Sequence, residues 1–254
     1  MKHNDQYFNG IADKFAKNIY GTSKGRLRHQ LLVEALSPWL SKAPMRILEV
    51  GGGTGIMTRE LLVMGHDVLL TDASEDILGL AREMLAEYTT RPGQLEIMQI
   101  PLWELEPQAD IDLVVCHAVL EWLENPLQAI EHLYSLTPAG KRLSLSFFNR
   151  DAALFGNVLY GNFDYIARGM KVKNQVRLNP QNPVSPQQAI AQAEKCGFVV
   201  EQVTGIRCFH DYLKERLGSD EAFEQLLALE RQYNRQPPFS WLGKYLHLML
   251  HKPA

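Results

Sequence analysis

The stretch Ile47-Leu48-Glu49-Val50-Gly51-Gly52-Gly53-Thr54-Gly55 limits what this chain can fold into more than any other. Ile47, Leu48 and Val50 crowd apolar side chains onto both sides of a strand over 45–50, the pattern of a strand buried on both faces of a parallel sheet. The glycines that follow lack a Cβ, so the backbone can turn sharply off the strand tip and come close to a ligand that a side chain would push away. The segment from Thr54 to Met64 reads as the helix leaving that turn, and Gly65 suits its C-cap. Strand, glycine turn and helix in this order make the nucleotide-binding corner of a doubly wound α/β sheet.

The rest of the chain repeats the alternation. Val68 to Asp72 reads as a second strand, followed by a helix to about Tyr88; Gln94 to Ile100 and Ile111 to Cys116 are the third and fourth strands. A helix around 126–136 stops at Thr137-Pro138-Ala139-Gly140, and Leu143 to Phe148 is the fifth strand. Strands joined by helices imply right-handed parallel crossovers. Between about Arg150 and Pro186 the pattern breaks at Asn, Gly and Pro, which marks an insertion. A helix at 186–196 ended by Gly197 and a strand from Phe198 to Thr204 resume the core, before a second insertion of two helices over Arg207 to Arg235. No crossover helix leads directly into Tyr245 to Leu250, so that last strand is expected to run antiparallel. Ahead of the sheet, residues 5–20 and 22–40 have helical periodicity, the second with Thr22 or Ser23 as N-cap. The expectation is one domain over 1–254, with a helical segment at 1–40 and a substrate cap built from 150–186 and 207–240.

At 254 residues, 46% hydrophobic and 22% charged, the chain can bury one substantial core. A net charge of −3 excludes a uniformly basic nucleic-acid coat, leaving only local patches for a polyanion. Cys116, Cys196 and Cys208 are far apart and odd in number, which fits reduced cysteines in a cytoplasmic protein better than a disulfide framework. The polar start and the lack of any apolar run near the roughly 20 residues of a membrane span point the same way. No spacing suggests a metal site.

Glycine spacing separates the candidate cofactors. A dinucleotide fingerprint would place its third glycine at position 56, which is Ile56; the glycines fall instead at 51, 53 and 55. Glu49 two residues ahead of this G-x-G-x-G resembles the first motif of the S-adenosylmethionine (SAM)-dependent methyltransferases, with their Rossmann-like doubly wound sheet and antiparallel last strand. The resemblance implies contacts from Gly51 and Gly52, with Glu49 as an indirect support. Asp72, 17 residues past Gly55 at a strand tip, is placed to accept hydrogen bonds from both ribose hydroxyls, although capping the next helix fits the same position. Leu102 and Trp103 fall where such enzymes hold the adenine, in a register open by one or two residues around Glu104, and a loop Trp packed on the sheet edge is the other reading of Trp103. His117 ends the fourth strand at the edge where ligands bind, and a core or capping role is its other reading. Arg28, in a segment from 14 to 33 free of acids, can clamp the methionine carboxylate or belong to a solvated basic face.

Five further runs narrow the resemblance: Lys14-Phe15, Asn18-Ile19-Tyr20-Gly21-Thr22, His117-Ala118-Val119-Leu120-Glu121-Trp122, Gly161-Asn162-Phe163-Asp164-Tyr165 and Phe209-His210-Asp211-Tyr212-Leu213. With them the chain closely resembles the bacterial tRNA 5-carboxymethoxyuridine methyltransferases, in the insertions as well as the core. The resemblance implies methyl transfer from SAM to the side-chain carboxylate of a wobble uridine in a tRNA anticodon loop. A carboxylic acid with a pKa of about 4 is already ionised at neutral pH, so no acid-base residue is assigned. Lys171, Lys173, Arg177, Arg207 and His210 are the candidate cations for phosphate or carboxylate, and Tyr165, Phe209 and Tyr212 suit stacking on splayed-out bases. The same fold also serves small carboxyl or hydroxyl acceptors. A nicotinamide-binding protein, or a SAM fold without activity, is the third reading.

Overall fold

The computed structural model describes residues 5–6, 22–89, 91, 93–170, 182–215 and 217–254. The helical segment expected over 5–20 therefore lies almost wholly outside the described residues, as do Lys171, Lys173 and Arg177. Among the described residues, β1 (Arg46–Val50), β2 (Asp67–Asp72), β3 (Leu95–Gln99), β4 (Leu113–His117), β5 (Arg142–Phe148), β6 (Val199–Ile206) and β7 (Tyr245–His251) form one sheet in the order β3-β2-β1-β4-β5-β7-β6. The first five are parallel. As expected, the last strand runs antiparallel, and it does so to both neighbours, inserted between β5 and β6. Strand order reverses between β1 and β4, so the crevice for a ligand opens beyond their carboxyl ends, at Gly51 and His117.

Successive strand residues point to opposite faces, and each face is sealed by its own helices. On one, Leu48, Val114, Leu145 and Leu248 pack under Ile130 and Leu133 of α4 (Pro126–Leu136) and Ala189 and Ala193 of α7 (Pro186–Cys196). On the other, Ile47, Leu70, Val115 and Met249 meet Leu27 and Leu31 of α1 (Ser23–Leu36), Leu61 of α2 (Ile56–Val63), Leu78 of α3 (Glu75–Leu85) and Leu227 of α8 (Asp220–Tyr233). Each buried Leu, Ile, Val or Met side chain contributes about 1.5–3 kcal/mol. Local chemistry sets the helix ends: Thr22 Oγ1 accepts from the Gly25 amide at 3.2 Å to start α1, and Gly197 ends α7 at φ +107°.

The first insertion contains α5 (Arg150–Leu159) and α6 (Phe163–Ala167) among the described residues, helices whose bounds the broken sequence pattern did not give. Asn149 is the reason for α5: its Oδ1 accepts from the Asp151 and Ala152 amides at 2.9 and 3.3 Å, capping the helix. Its Nδ2 donates to the carbonyls of Trp241 and Gly243 at 2.8 and 2.9 Å, which ties α5 to the entry of β7. The second insertion has one α-helix, α8, rather than two, flanked by 3-10 turns at His210–Tyr212 and Phe239–Leu242. The Pro237-Pro238 pair supplies no amide donors to continue a helix.

Candidate active site

The glycine spacing acquires a geometric meaning at the end of β1. Gly51, Gly53 and Gly55 have φ of +64°, +60° and +78°, so every second residue is left-handed while the chain reverses into α2. Gly52 donates to the Thr71 carbonyl at 3.0 Å, and the Gly53 amide donates to Asp72 Oδ2 at 3.1 Å. The other Asp72 oxygen accepts from the Ser74 amide at 2.9 Å. Asp72 thus ties the turn to the tip of β2; the N-cap of α3 is Ser74. Burial pushes the Asp72 carboxyl above its usual range and the two amides pull it back. Glu49 is buried beneath the turn, takes a hydrogen bond from the Thr58 hydroxyl, and is pushed up to about 7 chiefly by desolvation. It supports the corner from below.

A cavity of about 470 Å³ opens above this corner, lined by Arg28, Gly51, Gly52, Asp72, Leu102, His117 and Arg207 among the residues singled out from the sequence. Trp103, His210 and Tyr212 stand behind it. Trp103 donates Nε1–H to Asp5 Oδ2 at 2.7 Å and packs beside the His132 ring at 5.9 Å. His210 Nε2 lies 3.2 Å from Ser23 Oγ, linking the second insertion to α1. The Tyr212 hydroxyl donates to the Leu242 carbonyl at 2.8 Å, and its ring meets Phe155 of α5 at 5.2 Å. Glu121, Phe148, Lys244 and Tyr245 also line the cavity and were not picked from the sequence. Glu121 lies in the His117 to Trp122 run and could have been found there. The other three gave no local signal.

The far wall is cationic. Two guanidinium groups lie near the Tyr245 ring, Arg28 at 5.1 Å from its centroid and Arg207 at 5.8 Å. Arg207 holds φ +64° and grips both oxygens of Asp211, with Nε to Oδ2 at 2.7 Å. Burial would raise Asp211, but the His210 ring, with Nδ1 3.6 Å from Oδ2, and the charge and hydrogen bonds of Arg207 hold it well below the carboxylate range. Lys244 Nζ stands 5.1 Å above the Phe148 ring. On the neighbouring wall, Ser144 Oγ lies 2.8 Å from Nε2 of both His117 and His247. Burial lowers both imidazoles, His247 to about 3, so both rings are neutral at pH 7.

Glu121 is fully buried; its Oε2 accepts from the Phe148 amide at 3.4 Å, and Oε1 has no partner among the described residues. Burial pushes its carboxyl from 4.5 to about 7. A folded pKa raised in this way stabilises the fold below pH 4.5, and that stabilisation is lost as pH rises through 7. Glu121→Gln is therefore expected to stabilise the protein by about 3 kcal/mol at pH 8 and to change little at pH 4.5. Urea unfolding at the two pH values checks this; an equal effect at both would remove the ionisation argument.

This arrangement fits an adenosine-type cofactor. Bare glycine backbone faces the cavity, and a Cβ built on Gly53 meets nothing nearer than Ile77 at 3.9 Å. Asp72 offers acceptors at one end, Leu102 and Ile77 supply apolar wall, and Arg28 supplies a cation. Among the described residues no helix is long and apolar enough to cross a membrane, and no group of three or more His, Cys, Asp or Glu side chains could hold a metal. A methyltransferase-domain family model matches residues 23–203. The fold is that of magnesium protoporphyrin IX methyltransferase from Synechocystis with bound SAH, at TM-score 0.65 and 18% identity over 97% of this chain and 96% of that one. Fold, corner and family model together define a SAM-dependent methyltransferase. The ubiquinone biosynthesis O-methyltransferase of Xanthomonas axonopodis is 26% identical over 68% of this chain and 71% of its own. The tRNA 5-carboxymethoxyuridine methyltransferase of Escherichia coli K12 is 36% identical over 98% of this chain and 97% of its own, and the chain belongs to that family.

Proposed function

We propose that this protein esterifies the carboxylate of 5-carboxymethoxyuridine at the wobble position of tRNA, the anticodon loop being the part it grips. The observation that carries this reading is one cavity with two chemically distinct ends: a glycine corner with Asp72 at one, and cations around Tyr245 at the other. When bound, SAM supplies an electrophilic methyl group on a sulfonium. Gly51 and Gly52 offer backbone to its polar end, Asp72 accepts from the ribose, Leu102 packs on the adenine, Arg28 pairs with the methionine carboxylate, and His117 closes the wall between. Trp103 acts from behind, holding Asp5 at the cavity edge.

The chain's own contribution to chemistry is placement. An acceptor carboxylate arrives already ionised and needs no base. What it needs is a cationic, water-poor seat that holds one oxygen in line with the donor. The buried, mainly apolar walls supply the second condition and the cations the first. Lys171, Lys173 and Arg177 are proposed to meet tRNA phosphates, as are Arg207 and His210 at the root of the second insertion; Tyr212 braces that root against α5. Purified protein with SAM and tRNA from cells lacking the enzyme is expected to yield the methyl ester of carboxymethoxyuridine by nucleoside mass spectrometry. Methylation of small carboxylic acids with no ester in tRNA would overturn the reading.

A further inference from the structure

Four basic side chains line the cavity, Lys24, Arg28, Arg207 and Lys244, and the three beside Phe148 and Tyr245 are not equivalent. Arg207 is committed along one edge: its Nε and Nη2 grip the two oxygens of Asp211, and its guanidinium lies 5.8 Å from the Tyr245 ring centroid. Arg28, on α1, also lies beside the Tyr245 ring and acts electrostatically on His117 and Glu121, which puts it near the tip of β4. Lys244 differs from both. Among the described residues its ammonium makes no hydrogen bond or ion pair; its only close partner is the Phe148 ring at 5.1 Å. Asp211 acts on it through space, both carboxylate oxygens being bonded to Arg207.

Lys244 is half-buried and lines the cavity, so the three donors of its ammonium are open to an incoming acceptor. The backbone of Lys244 is fixed there from both sides: its amide donates to the Arg207 carbonyl and its carbonyl accepts from the Asn149 amide, each at 3.1 Å. Location adds a second argument. The glycine turn leaves β1, His117 ends β4, Phe148 ends β5 and Lys244 immediately precedes β7, so the four lie side by side along one edge of the sheet. At about 4.8 Å per strand, Lys244 stands roughly 14 Å along that edge from the glycine turn. That is the acceptor's end.

We infer that Lys244 receives the carboxylate of the acceptor, through an ammonium held over Phe148 at the root of both insertions. The assignment rests on the proposed ester-forming reading and names the residue that selects a carboxylated uridine over an unmodified one. Gly156 of α5 lies alongside: a Cβ there would stand 3.9 Å from Lys244 Nζ and 3.7 Å from the Tyr212 ring, ordinary contact distances that place α5 next to the ammonium. The ammonium thus lies where the first insertion, the second insertion and the sheet edge meet.

A binding cycle tests this. The parent, Lys244→Met and Lys244→Arg are titrated, with S-adenosylhomocysteine present, against one tRNA carrying carboxymethoxyuridine and against the same tRNA carrying unmodified uridine. Lys244→Met is expected to lose about 10- to 100-fold in affinity for the carboxylated tRNA and nothing for the unmodified one, with Lys244→Arg recovering most of the loss. Unchanged calorimetric SAM affinity and an unchanged melting temperature show that the variants are folded. Equal losses on both tRNAs would mean a phosphate contact, and no loss on either would mean no contact; each overturns the assignment. A parent that forms no ester and binds both tRNAs alike brings down the acceptor reading itself, whereas a parent that forms the ester beside an unimpaired Lys244→Met brings down only the role of Lys244.

Discussion

Asp72→Ala is expected to lower SAM affinity about 100-fold while leaving the fold intact. Two effects combine. The Gly53 and Ser74 amides lose the carboxylate that holds the turn against β2, and the proposed ribose acceptors disappear with it. A hydrogen bond to a charged group contributes about 1.5–3 kcal/mol, so one such bond to the ligand already accounts for a factor of 10 to 150. Asp72→Asn keeps one acceptor oxygen but turns an NH2 toward one of the two amides, and is expected to fall between. Calorimetric titration gives the affinities and thermal unfolding the fold. Normal SAM binding by Asp72→Ala would eliminate the ribose role.

Substitution at Gly52 should cost more than at Gly53, although the two are neighbours in one turn. A Cβ on Gly52 would lie 2.2 Å from Leu70 Cδ1 and 2.8 Å from the Glu49 carboxyl carbon, both in the buried layer beneath the corner. Neither can retreat, because Leu70 is packed in the core and Glu49 is bonded to Thr58. Gly52→Ala is expected to cost about 3 kcal/mol of stability, at the upper end for overpacking, and to abolish SAM binding. Gly53→Ala has room and suffers only the left-handed backbone, about 1 kcal/mol. Urea midpoints of the two variants decide the matter, and equal destabilisation would refute the packing argument.

The sheet was legible because its strands are apolar on both faces, and the corner because left-handed backbone at alternate positions leaves a glycine at each. Leu102 and Trp103 show where local reading stops. A 3-10 turn over Leu102–Glu104 sends the adjacent side chains apart, so Leu102 reaches the cavity and the Trp103 indole turns to Asp5 and His132. Lys244 and Tyr245 were invisible for a topological reason. A lysine ahead of a final strand looks like any solvated terminus. Only because β7 runs against β5 does its first residue arrive at the edge carrying the carboxyl ends of the parallel strands. The helix α5 was hidden by polar and glycine residues whose meaning depends on Asn149 reaching across to Trp241 and Gly243.

Ser144 has a single hydroxyl hydrogen and two imidazole nitrogens at 2.8 Å. It can donate to one ring only and must accept from the other, so with both rings neutral one carries its hydrogen on Nε2 and the other on Nδ1. The two histidines are therefore one switchable unit with two proton layouts, not two independent side chains. Whether His117 offers the cavity wall a lone pair or an N–H at its remaining nitrogen is decided jointly with His247, a residue of the last strand that is itself fully buried. The polarity of a wall beside the cofactor thus depends on a ring two strands away.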